Sequence, residues 1–202
     1  KTGWAILNPL LVAIIVVIAF LSVFHIEYKE YNRGAVYLGY FLTPATVCLA
    51  IPLYKQLELL RQHLIAVASA IVAGGAGSVG SIYVMCRFFQ LEHTHYVTLL
   101  PKSITTAIGM GVSEEAGGIV TLTVISIIIT GILGNIIADW LFQIFKIEEP
   151  IAKGLALGTA AHAIGTAKAL ELGEIEGAMS SLSIAVAGLL TVVVVPLMSG
   201  LI

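Results

Sequence analysis

The chain has 202 residues, 58% of them hydrophobic and 11% charged, with a formal net charge of −2 and a mean hydropathy of +1.02. Soluble domains carry about 25% charged residues, so this composition excludes an ordinary soluble globule. The small net charge gives nucleic acid or a polybasic membrane patch nothing to act through. An integral, multi-pass membrane protein is what remains.

Four windows are apolar for long enough to cross a hydrocarbon core of about 30 Å, which takes roughly 20 residues: Trp4–Ile26, Leu64–Cys86, Ile119–Phe142 and Met179–Ile202. They are continuous rather than alternating, which selects helices over a β-barrel. Asn8-Pro9 opens the first window, where proline suits a helix's first turn. The polar run His25–Gly34 reads as a short external loop. A fifth window, Tyr37–Tyr54, is interrupted by Pro44 after Thr43 and ended by Pro52; proline removes an amide donor, so a kinked or broken helix is expected. Tyr54–His63 is an amphipathic connector. In the third window Ser69, Ala73, Gly77 and Ser81 recur at four-residue steps, a stripe of small side chains suited to close helix packing within or between chains. The "GSVG" there lacks the first glycine of a nucleophile elbow, Ala76 standing in its place, so no serine hydrolase is expected. On the fourth long segment Thr123, Ile127, Gly131, Asn135 and Asp139 share a face, and Asp139 is expected at the membrane interface. Cys48 and Cys86 lie in apolar windows and read as buried small hydrophobes. Lys1, Lys55 and Arg61 on one side balance Lys29, Arg33 and Arg87 on the other, so orientation is open. The chain opens on Lys1 rather than Met, and a preceding segment is expected.

Two stretches break the apolar pattern: "LLPKSITTAIGMGVSEEAGG" (Leu99–Gly118) and "GLALGTAAHAIGTAKALELGEIEG" (Gly154–Gly177). Shifted by 56 residues, Ala107–Ile119 lies over Ala163–Ile175 with six of thirteen positions identical, Glu115 on Glu171 among them. Repeat-like segments 99–142 and 154–202 emerge, inside a single transmembrane domain 1–202. Paired, glycine-interrupted semi-polar segments point to a transporter's binding site. Irregular backbone at membrane depth must be buried or line a wet cavity, and a half-helix N-terminus favours an anion. Lys102, Ser103, Thr105 and Thr106 would supply one such end, and Thr159, His162 and Thr166 the facing one, with Lys168 adding charge nearby. A small carboxylate fits that inventory. Glu115, Glu171 and His162 are the proton-carrying candidates, a carboxyl through burial and histidine through its ordinary pKa near neutrality. His162 has no second ligand at metal spacing, so neither metal nor cofactor is expected. No nucleophile–base pair suggests an enzyme.

The two stretches, with "FLTPATVCLAIPLYKQ" (Phe41–Gln56) as a third region, closely resemble the signature regions of the LrgB/CidB family. The resemblance runs from about Asn8 to the C-terminus. It departs at Ala107, where proline is common, and at the polar Asn135 and Asp139. Members usually begin with one further hydrophobic segment. The resemblance implies two activities. One is holin-like or antiholin-like control of murein hydrolases and lysis. The other is movement of pyruvate and similar small carboxylates, with a plant plastid relative exchanging glycolate and glycerate. It also implies a bacterial plasma-membrane location and a small LrgA/CidA-type partner. The expected architecture is therefore an all-α membrane protein of about five full or kinked transmembrane helices plus two broken or re-entrant segments. The expected activity is monocarboxylate transport by a homodimer, with protons as the candidate coupling ion; the alternative is a holin-like pore or its regulator. A duplicated, glycine-interrupted polar core favours transport, because a lesion-forming pore need only oligomerise.

Overall fold

The computed structural model describes residues 9–41, 44, 47, 48 and 50–202. Among them every regular element is helical. The fold divides into two compact units, 1–51 and 52–202. In the first, α1 (Pro9–Val23) is apolar throughout. Its described side chains are mostly exposed, as lipid contact requires. A turn with positive φ at His25 leads into α2 (Tyr28–Gly39). The stretch expected to be a loop is thus helical from Tyr28 onward. The reason is periodic: Tyr31, Ala35 and Leu38 fall on one face and Lys29 and Arg33 on another, the helical spacing of an amphipathic segment. The break expected at Thr43-Pro44 involves Thr43, which lies outside the described residues. Cys48 is exposed rather than buried.

α3 (Ala50–Lys55) spans the division between the units, and α4 (Leu57–Gln62) comes next. The second unit is then built from α5 (Leu64–Phe88), α6 (His93–Leu99), α7 (Thr106–Glu115), α8 (Val120–Ile144), α9 (Pro150–Leu172) and α10 (Glu174–Ser199). α5, α8 and α10 are each long and apolar enough to cross a membrane. α9 packs most extensively on α10, then on α8 and α5. Lipid gives helices little hydrophobic reason to associate, so close packing by small residues must do it. Gly154 and Gly158, four apart on α9, show this: a Cβ on Gly154 would lie 2.9 Å from the Glu176 Cα, and one on Gly158 would lie 2.9 Å from the Ser180 Cα. The α9 and α10 backbones therefore touch.

Two larger apolar clusters complete the packing, beside a smaller one of Ala138, Leu157 and Ala169. Val79, Ile82 and Cys86 of α5 meet Tyr96, Val97, Leu100, Val112 and Val195, with the Tyr96 hydroxyl donating to the Met198 carbonyl at 3.1 Å. Val67 and Ile71 meet Leu155, Met179 and Ala187. The stripe Ser69, Ala73, Gly77 and Ser81 faces outward along α5; Ser69 and Ser81 donate to the carbonyls of Ala66 and Ser78 in their own helix.

Candidate functional site

Both unusual stretches are interrupted helices. The first leaves helical geometry between α6 and α7, over Leu100–Thr105, and Thr105 is the extended residue before α7. The second breaks inside α9, where His162 has φ 43° and ψ −133°. That is a left-handed backbone that a side-chain-bearing residue adopts only at a cost of about 1–3 kcal/mol. The two breaks also match in the pair of helices that each one precedes. A ten-residue helix, Thr106–Glu115, leads to the long α8; the segment Ala163–Leu172 leads to the long α10.

The α8 face noted in the sequence docks onto these breaks along its whole length. Thr123 Oγ1 donates to the Thr98 carbonyl at 2.9 Å and, its one proton so used, accepts from Ser113 Oγ at 2.7 Å. The Thr98 hydroxyl in turn accepts from the Ile119 amide. His162 Nε2 lies 2.9 Å from the Ile127 carbonyl and so is its donor. Gly131 leaves room for the imidazole, since a Cβ there would sit 2.8 Å from His162 Cε1. Asn135 Nδ2 donates to the Ile164 carbonyl at 3.2 Å, a carbonyl next to the break. Asp139 pairs with Lys168 at 2.7 Å.

Beside the breaks, α5, α8 and α9 enclose a cleft of about 640 Å³. Its deep end holds Ser78, Lys102, Ser103, Thr130 and Thr159, with Ser103 and Thr159 buried. The Ser103 hydroxyl oxygen accepts from Lys102 Nζ at 3.1 Å and from Ser78 Oγ at 2.9 Å. An ammonium carries three donors and a hydroxyl one. Two Lys102 protons and the Ser103 proton are therefore left for a guest. The Thr159 hydroxyl donates to the Leu155 carbonyl at 2.8 Å, so toward a guest Thr159 acts as an acceptor. The Lys168–Asp139 pair is the one salt bridge among the described residues. No described carboxylate thus neutralises Lys102, whereas Lys168 is already paired.

Of the expected ligand residues, the cleft gathers Lys102, Ser103 and Thr159. Thr105 and Thr106 are half-buried and outside its lining, at the start of α7. Thr166 is buried between the His162 carbonyl, 3.1 Å away, and Ser180 Oγ, 2.7 Å away; it ties α9 to α10. His162 is buried against α8. Glu115 and Glu171 are exposed and outside the cleft. Ser78 and Thr130 were missed. A signal for Ser78 existed: one residue along from the chosen stripe, Ala70, Gly74 and Ser78 make an equally small four-residue run. It is this run that faces the cleft.

The model of the LrgB-like family matches residues 1–201. The chain belongs to the LrgB-like family. Curated relatives agree. An antiholin-like protein LrgB of Bacillus mycoides (strain KBAB4) is 40% identical over 195 residues, covering 96% of this chain and 85% of the relative. That of Bacillus cereus (strain B4264) is similar to the same extent. No solved structure matches the chain. This LrgB-like chain is thus a helical membrane protein whose cleft presents one unneutralised cation and hydroxyl donors amid apolar walls.

Proposed function

We propose that this LrgB-like protein moves small monocarboxylates across a bacterial plasma membrane, holding the carboxylate at Lys102 and Ser103. One observation carries the reading: a lysine lines a cleft between membrane-spanning helices with no described carboxylate to neutralise it. A cation in such a place marks a substrate or ion pathway. A carboxylate supplies the missing charge and accepts the free donors. A 2-hydroxyl on the substrate would find an acceptor in Thr159. Among the expected proton carriers His162 alone is buried, and coupling is proposed there.

The relatives' names favour a second reading, an antiholin-like regulator of a pore. Counterflow of radiolabelled pyruvate and glycolate in proteoliposomes separates the two, with release of a larger trapped dye read in parallel. Saturable exchange without dye release is expected. Dye release without exchange would leave the pore-regulating role as the better account.

A further inference from the structure

The cleft is far longer than a three-carbon acid needs, and its polarity is graded. α5 and α9 run side by side in the same direction along it: Ile71 and Leu155 share one apolar cluster, and Gly74 meets Thr159 three residues further on along α5 and four along α9. On α5 the lining passes from Ala70 through Gly74 to Ser78; on α9 it passes from Ala152, Leu155 and Ala156 to Thr159 and Ala160. At 1.5 Å rise per residue each run covers roughly 11–12 Å. Both start apolar and reach a hydroxyl at the far end, Ser78 on α5 and Thr159, beside Ala160, on α9. The hydroxyl end is the buried one, beside Lys102 and Ser103, while Ala70, Ala152 and Ala156 are exposed toward the mouth, as are Leu133 and Ile137 across from them on α8. A short acid fills the inner end and leaves the alanine-lined length uncovered.

Resting on the carboxylate reading of this site, we propose that the preferred substrates are monocarboxylates with an extended apolar tail. They enter head-first, with the carboxylate on Lys102 and Ser103 and the tail lying along Ala156 and Ala152 toward the mouth. Six-carbon straight-chain acids match the length; dicarboxylates do not, because a second charge would lie against alanine and leucine with no donor.

The test is inhibition of pyruvate counterflow by the straight-chain 2-oxo acids of three to six carbons, with 1-hexanol as the tail-only control. Each methylene moved onto apolar wall strengthens binding roughly fourfold. The inhibition constant should therefore fall about threefold to fourfold per carbon, with hexanol inert. Ala152→Leu and Ala70→Leu, on different helices, narrow the mouth end. In each the ratio between the six-carbon and three-carbon constants should collapse toward one, a ratio independent of how much protein is active. A flat series in wild type, with pyruvate exchange intact, would overturn the tail groove and leave the carboxylate site standing. Inhibition by hexanol equal to that by the six-carbon acid would overturn it too. Absence of any exchange would sink both readings.

Discussion

Lys102 and His162 stand for the two things a polar residue does at membrane depth. Lys102 keeps protons available toward a cleft, and losing its charge would remove the partner proposed for the carboxylate. Lys102→Gln should lower saturable pyruvate exchange at least tenfold, with the protein still eluting as the wild type does in detergent; unchanged exchange would remove the residue from the site. His162, where proton coupling is proposed, also holds the fold, through its donation to the Ile127 carbonyl and its unusual backbone. In an ordinary helix interior glycine is about 1 kcal/mol worse than alanine. At a left-handed position glycine carries no steric penalty, so the order should reverse: His162→Gly is expected to melt higher than His162→Ala in detergent. The same order as in a regular helix would show that the break is not held at this residue. Rarity in a greasy background made both residues legible in the sequence. Which of them faces a cavity was not, because the face of a broken helix depends on backbone geometry that residue types alone leave open.

At the scale of elements, the long apolar helices were read to within a few residues at most ends, since length and hydropathy decide them. α10 starts at Glu174, before the apolar run begins, because Glu174 and Glu176 sit in its first turn, where the helix dipole favours acids. The two stretches that align in the sequence each hold a break that leads to a short helix and a long one. The small-residue stripe on α5 was placed one residue off the cleft-facing run; with alanine, glycine and serine on several faces, periodicity does not choose between them. Contact does, and it yields a contrast. Gly158→Ala would drive a Cβ into Ser183 Oγ and the Ser180 backbone, which α9 and α10 can relieve only by separating. A loss of about 1–3 kcal/mol is expected. Gly77→Ala on α5 meets nothing within 4 Å and should leave the thermal midpoint unchanged or slightly raised. Asp139→Asn breaks the pair with Lys168, but Asp139 is half-exposed; such pairs contribute about 0–1 kcal/mol. Its thermal shift should be small beside that of Gly158→Ala.

For the whole molecule, the second unit's plan is a set of continuous apolar helices bracketing interrupted, semi-polar ones. Its function is read from what the interruptions expose. The cleft's hydroxyl end lies beside both breaks, and its apolar end is made by regular helix, so chemistry and irregular backbone coincide. The break in α9 also bears on how the protein is made. Its halves, Pro150–Ala161 and Ala163–Leu172, are roughly 18 and 15 Å long, each well short of the hydrocarbon thickness, and they carry Lys153, Lys168 and Glu171. Neither half offers the insertion machinery a segment that partitions into lipid alone. α8 and α10 do, and their packed faces supply the amide, hydroxyl and carboxylate partners that α9 needs. Biogenesis of this chain therefore has an order that differs from its order of synthesis: α9 leaves the ribosome before α10, yet it can settle only after α10 has arrived.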